Sequence, residues 1–306
     1  MRVAADRVIG VDVGGTKILG GIVDEEGSLE AAHELHTDSS SQEALLDEID
    51  SLVEELLRKE RRAAALGFGF PSRIDQRSGR LVASVNIPFK DLDVRTRMSE
   101  RFGLPVAIDN DGNVAAIAEW QVGAGGRVDD MVMLTIGTGV GGGLILGGKP
   151  YRGATGVGAE LGHMVIDFDG LECRCGGRGH LESYVSGRVA DTVAKQLLGP
   201  DADARELVRR ARQGEAGPRD AVAEIGRRLG DGLVTLVNVF DPDLIVIGGG
   251  FVAAGSLLLE PARAVVARDA LVPARDRVQI VQARLGAHAG VIGAGLIAFE
   301  ALRRKS

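Results

Sequence analysis

The sequence holds its two cysteines, Cys173 and Cys175, one residue apart in the run CRCGGRGH (173–180), with His180 five residues behind the second. A disulfide between neighbours this close would close a tiny, strained ring. Thiolates and imidazoles are metal ligands, and His163, Cys173, Cys175 and His180 supply four sulfur and nitrogen donors. Four such donors close a tetrahedral zinc site with no open position, so the site is structural and organises its loop. Gly176, Gly177 and Gly179 let the chain fold back around the ion. Glu160 stands three residues before His163 and Glu182 two after His180, so zinc would draw these carboxylates near each other. Carboxylates accept hydrogen bonds from hydroxyl groups, which suits a sugar or another polyol.

A second concentration of polar residues is AIDNDGN, which sets Asp109, Asn110, Asp111 and Asn113 within five positions at a strand end and a helix start. Helix capping favours Asn and Asp, but it accounts for one or two of the four. Ligands of α/β sheets bind at the carboxyl ends of strands, where a carboxylate can take a proton from a substrate hydroxyl. Asp111 is the expected catalytic base.

Three glycine turns follow strands: DVGGTK (12–17), TIGTGVGGG (135–143) and IGGGF (247–251). Glycine there admits positive φ and lets backbone N–H groups approach a phosphate. Thr16, Lys17, Thr135 and Thr138 add donors, so a nucleotide site is expected. Asp12, just before the first turn, either caps it or holds Mg²⁺ through water beside the transferring phosphate. Two familiar patterns are decoys. Gly137, Gly139 and Gly142 fit G-x-G-x-x-G, but that fingerprint needs a helix next, and LILGG reads as a strand. Gly143 to Lys149 spells G-x-x-x-x-G-K, yet Pro150 stands where a phosphate loop needs Ser or Thr for magnesium.

Alternating helical and extended patterns position these residues, which gives an α/β class. RVIGVDV (7–13) and ILGGIVD form a glycine-turned hairpin. Residues 41–60 form an amphipathic helix with Leu45, Ile49, Leu52 and Leu56 on one face. AALGFGF is a buried strand, PVAIDN (105–110) a strand, and DGNVAAIAEWQ a helix. A second round has a strand at 130–137, a glycine turn, a return strand at LILGG, and helices near 182–197, 203–212 and 219–239. Then come a strand at 243–250, a helix over FVAAGSLLLEPARAVVA, a strand at RVQIVQA and a last helix over 287–303. The two rounds suggest an internally duplicated two-domain fold.

The formal net charge of −7 argues against a large nucleic-acid face, which is usually basic. No apolar leader with a small-residue cleavage site opens the chain, and no run of about 18 uncharged apolar residues offers a membrane span. Clustered cysteines without an export signal fit a reducing cytoplasm.

Taken together, these motifs resemble the ROK family (repressor, open reading frame, kinase), over nearly the whole chain. DVGGTK is similar to the family's first phosphate loop and IGTGVGGG to its second. DNDGN resembles E-N-D-A-N, while GAELGH and CRCGGRGHLE resemble E-x-G-H and C-x-C-G-x-x-G-C-x-E. The resemblance implies an actin-like, hexokinase-like (ribonuclease H-like) fold. Residues 1–118 with 287–306 would form a small domain and 119–286 a large one bearing the zinc loop, with ATP and sugar meeting in a cleft. It implies ATP-dependent phosphorylation of glucose at its 6-hydroxyl. The alternatives are mannose, fructose, N-acetylglucosamine or N-acetylmannosamine. It implies sugar contacts from Asn86, Asn110, Asp111, Glu160, His163 and Glu182. Asp12, Gly14, Gly15, Thr16, Lys17, Thr138, Gly139, Gly249 and Gly250 would line the site of MgATP. A homodimer, or a homotetramer, is the implied assembly. The family's sugar-responsive repressors carry a helix-turn-helix domain before the first phosphate loop, and here VIGVDVGG, the strand that leads into that loop, begins at residue 8. Three departures stand out: Asp109 replaces the usual Glu, Gly112 the usual Ala, and His180 a third cysteine.

Overall fold

A computed structural model describes residues 7–84 and 87–303. It divides into two compact units. The first comprises the chain up to Arg127, Pro150–Ala159, and the chain from Ala287 on; the second comprises Val128–Lys149 and Glu160–Gly286.

In the first unit, β1 (Arg7–Val13), β2 (Lys17–Val23) and β3 (Leu29–His36) form an antiparallel meander. Helix α1 (Gln42–Lys59) follows, capped by Ser41, whose hydroxyl accepts from the Ala44 N–H at 3.0 Å. Leu45, Ile49, Leu52 and Leu56 of α1 are buried, at about 1.5–3 kcal/mol of transfer free energy each. Strand β4 (Ala63–Phe70) then pairs parallel with β1. Strands β5 (Ser72–Asp75), β6 (Arg80–Ser84) and β7 (Lys90–Asp93) make a separate antiparallel sheet, and α2 (Val94–Phe102) ends at Gly103. Strand β8 (Val106–Asn110) pairs parallel with β4 and runs straight into α3 (Asp111–Val122). The sheet order is β3-β2-β1-β4-β8.

One face of this sheet carries α1 and a core in which Phe68 stacks on Phe70 at 5.8 Å and Phe70 meets Phe89 edge-on at 6.0 Å. The C-terminal helix Ala289–Arg303 covers the other face, with Ala298 and Phe299 packed among Val8, Val23 and Ala65. Gly67 of β4 makes this possible, because a Cβ there would overlap the carbonyl oxygen of Ala294.

The second unit repeats the plan. Strands β9 (Met131–Ile136), β10 (Val140–Leu146), β11 (Lys149–Tyr151), β12 (Leu244–Gly248) and β13 (Gln279–Gln282) stand in the order β11-β10-β9-β12-β13. Numbered within its own sheet, each reads third, second, first, fourth, fifth. Duplication is thus visible in topology, and the α/β class holds. Helices α4 (Glu182–Val185), α5 (Gly187–Leu198), α6 (Ala204–Arg212), α7 (Ala216–Phe240), α8 (Ser256–Asp269) and the short α9 (Ala274–Arg277) belong to the same unit.

Four details depart from expectation. Gly141–Gly143 lie inside β10 and not in a turn, paired with Thr135, Leu134 and Met133. That strand directly after Gly139 confirms that the G-x-G-x-x-G match is a decoy. The helix over 182–197 breaks at Ser186, which is extended. The helix over 251–267 breaks at Gly255 (φ 62°), leaving a 3₁₀ turn at Gly250–Ala254. The elements β3, β5–β7 and α2 had no counterpart in the sequence reading. Among the described residues no helix is long and apolar enough to cross a membrane.

Candidate active site and metal centre

The register of the first sheet lines up a row of residues at the carboxyl ends of its parallel strands. Asp12 of β1 pairs with Gly69 of β4, and Gly69 pairs with Asp109 of β8. Asp111 starts α3 immediately beyond. A Cβ built at Gly69 would press on Val114 Cγ2 and lie 3.3 Å from Asp12 Oδ1 and 3.7 Å from the Asp111 Cα, so the bare glycine lets β4 run between Asp12 and the start of α3. The C-terminal helix closes the other side, since a Cβ at Gly290 would overlap the Asp12 carboxylate. Burial, then the charge of Asp111, pushes the Asp12 carboxyl up to about 7, with Lys17 pulling the other way.

The Asn110 carboxamide oxygen caps α3, accepting from Gly112 N at 2.9 Å and Asn113 N at 3.4 Å. Asp111 Oδ1 also accepts from Gly112 N at 2.9 Å. Capping and chemistry are therefore not alternatives at this turn. Asp109 is buried, and its carboxylate receives Arg152 Nε at 2.5 Å, Asn113 Nδ2 at 2.9 Å and Gln76 Nε2 at 3.1 Å. Arg152 and Gln76 were absent from the sequence reading. Their partner is 43 and 33 residues away, and no local spacing announces it.

The first glycine turn is closed by Gly14 N donating to Lys17 O at 2.8 Å, and Thr37 Oγ1 holds Gly14 O from β3's end at 2.8 Å. Gly15, Thr16 and Lys17 are exposed, and Lys17 Nζ pairs with Glu34 at 2.7 Å. Asn86 lies outside the described residues.

In the second unit, Gly137, Thr138 and Gly139 form the turn between β9 and β10. Glu182 Oε2 accepts from Val140 N at 2.7 Å, and a Cβ at Gly139 would overlap that carboxylate. Glu182 is thus seated against the second glycine turn. Gly249, at φ 86°, packs on Ile136, while Gly250 is exposed. Because β12 pairs parallel with β9, the second and third glycine turns share one end of the sheet.

The metal loop is a compact cluster. The ligand atoms of His163, Cys173, Cys175 and His180 all lie within 4.8 Å of one another. Cys173 Sγ stands 3.8 Å from His163 Nδ1, and Cys175 Sγ stands 3.2 Å from His180 Nδ1. Tetrahedral zinc places sulfur and nitrogen ligands about 3.5 Å apart, so the donors fit in kind, number and spacing. Cys173 N donates to Gly177 O and Gly176 N to Cys173 O, which wraps the loop, and Val165 bridges to His180. His163 faces two ways. Its Nδ1 is on the cysteine side, while its Nε2 lies 3.9 Å from Glu160 Oε2.

Comparison with known proteins places these features in context. The chain is similar to the glucokinase of Streptomyces coelicolor, with 37% identity over 95% of this chain and 97% of that one. It is similar to the crystal structure of a ROK family glucokinase from Streptomyces griseus in complex with glucose and AMPPNP. There the identity is 36%, the TM-score 0.86, and the cover 96% of this chain and 99% of the other. It is also similar to the xylose repressor of Bacillus subtilis, at 28% identity over 95% of this chain and 77% of that protein. The ROK family pattern matches residues 8–301, and the chain belongs to the ROK family.

Proposed function

We propose that this chain is an ATP-dependent sugar kinase that transfers the γ-phosphoryl group of ATP to the 6-hydroxyl of glucose. The row Asp12–Gly69–Asp109, with Asp111 heading α3, carries this reading: it sets two carboxylates beside an exposed glycine turn. Asp111 accepts the proton of the 6-hydroxyl as that oxygen attacks phosphorus. Asn110, Glu160, His163 and Glu182, with Asn86, orient the sugar by accepting from and donating to its hydroxyls.

Backbone N–H groups at Gly15, Thr16, Thr138, Gly139, Gly249 and Gly250, with the Lys17 ammonium, meet the phosphates and stabilise charge spread over the transferring group, while Gly14 shapes the turn that presents them. Asp12 would hold Mg²⁺ through water, and the cation would supply positive charge at the phosphates and keep Asp12 ionised. Zinc on Cys173, Cys175, His180 and His163 Nδ1 would leave His163 Nε2 as a donor, directed to Glu160 or a sugar oxygen. We propose a cytoplasmic homodimer.

The test is ATP-dependent phosphorylation across hexoses and N-acetylhexosamines, with products identified by phosphorus NMR. Glucose 6-phosphate as the dominant product is the expected outcome; turnover of another sugar moves the specificity and keeps the chemistry. The likeness to a xylose repressor motivates a second reading, a sugar sensor. Sugar binding without any phosphoryl transfer would establish it.

A further inference from the structure

The strap Pro150–Ala159, whose first two residues end β11, belongs to the first unit although the chain on either side of it belongs to the second. Arg152 is its charged anchor. The side chain of Asp109 is 1% exposed, that of Arg152 is 23% exposed, and Nε reaches Asp109 Oδ2 at 2.5 Å. The other oxygen, Oδ1, accepts from Gln76, from Asn113 and, at 2.8 Å, from the backbone N–H of Asn110. A carboxylate withdrawn this far from water is tolerable only if paired and hydrogen-bonded. Its charge is therefore spent on holding the residue next to the base. The strap meanwhile runs directly into Glu160 and the 3₁₀ turn Leu161–His163.

We propose that Arg152 is a positioning residue. Through Asp109 it fixes the backbone at Asn110, and hence the approach of Asp111 to the sugar hydroxyl, and it anchors the strap that leads to Glu160 and His163. This rests on the kinase reading above. Arg152 does not touch the reacting atoms; it acts through Asp109. Its outer side opens on a cavity of about 410 Å³ that Gln76, Arg95 and Glu300 also line, so a small cation can reach its place.

The experiment measures kcat, sugar KM, ATP KM and Tm for the full-length protein and for Arg152→Ala, Arg152→Lys, Asp109→Asn and the Arg152→Ala/Asp109→Asn pair. Arg152→Ala should lower kcat at least tenfold and raise sugar KM, with ATP KM within twofold. Millimolar guanidinium should restore at least threefold of the lost kcat in this variant and nothing in the unmodified protein. The double variant should be no worse than the poorer single one, because the two side chains act as one unit.

Arg152→Lys keeps the charge but not the planar fork, so it should fold and still show the same split between kcat and ATP KM. Arg152→Ala or Arg152→Lys with lowered Tm but unchanged kcat and sugar KM overturns the proposal, as do multiplicative losses in the double variant. Absence of turnover by the unmodified protein on every sugar would overturn the kinase reading itself, and this proposal with it.

Discussion

The two sheets share one strand order and differ at their carboxyl ends. In the first, the residue that pairs with Gly69 from β1 is Asp12; in the second, the residue that pairs with Gly248 from β9 is Thr135. The first sheet's row continues into Asp109 and Asp111, whereas the second offers glycines at 137, 139, 249 and 250 with Thr138 among them. One copy of the plan gathers aspartates at its sheet end, while the other gathers glycines and threonines, with Glu182 of α4 seated against them. Acids suit proton abstraction and a hydrated cation, while bare N–H groups suit phosphate oxygens. Duplication supplied the scaffold, and a handful of end positions set the two copies apart.

That division can be broken most sharply at the base. Asp111→Ala should lower kcat by on the order of 10²–10⁴ while leaving sugar binding largely intact. A loss under tenfold, read by steady-state kinetics, would demote Asp111 to a positioning group and remove the acidic unit's chemical role.

The metal loop of the second unit comes next. On the proposed zinc reading, Cys173→Ser should abolish stoichiometric zinc in metal analysis and raise sugar KM about 10- to 100-fold, since the ion would orient His163. Fresh, fully active protein without zinc would sever the loop from the site.

The acidic row also has a cost in stability, with a definite sign. Below the ordinary carboxylate range Asp12 is protonated folded or unfolded. Between 3.8 and about 7 only the unfolded chain ionises it, so stability falls as pH rises and the loss is complete above about 7. Asp12 keeps some contact with solvent, which limits the penalty to about 2–4 kcal/mol. In magnesium-free buffer, Asp12→Asn should raise Tm at pH 8 and move it far less at pH 4. Equal shifts at both pH values would show that the row is not strained by charge.

The smallest effect belongs to the exposed turn. Lys17→Ala removes a surface ion pair worth about 0–1 kcal/mol, so Tm should move by no more than about 3 °C. Its ATP KM should rise by more than that loss implies. An unchanged ATP KM would remove Lys17 from the phosphates.

Much of this was legible in the sequence wherever pattern and chemistry coincide. Helix α1 shows its buried stripe of Leu45, Ile49, Leu52 and Leu56, and the β8–α3 junction shows its capping Asn110. The metal donors sit close along the chain, and the resemblance to a known family tied the parts together. The region from Ser72 to Phe102 was silent for physical reasons. Its strands are four or five residues long and carry Arg73, Asp75, Arg80, Lys90 and Asp91. Helix α2 buries only Val94 and Met98 among nine residues, too few to make a period visible. Strand β3 is an edge with largely exposed side chains, so it lacks alternation. Gly141–Gly143 looked like a turn because glycine signals flexibility in a sequence, yet Gly142 sits against Leu161 in a strand where a larger residue would clash. The Arg152–Asp109 pair is purely tertiary.

The C-terminal helix gives this fold a particular order of completion. The strands and helix that carry Asp12, Asp109 and Asp111 are all synthesised by Val122, but the apolar face of their sheet stays bare until Phe299 is available to cover it. At ribosomal speeds of 5–20 residues per second that interval is roughly 10–40 s. During synthesis the unit that carries the aspartates is thus the first to be made and the last to be finished, and the nascent chain must shelter one open sheet face while the whole second unit emerges.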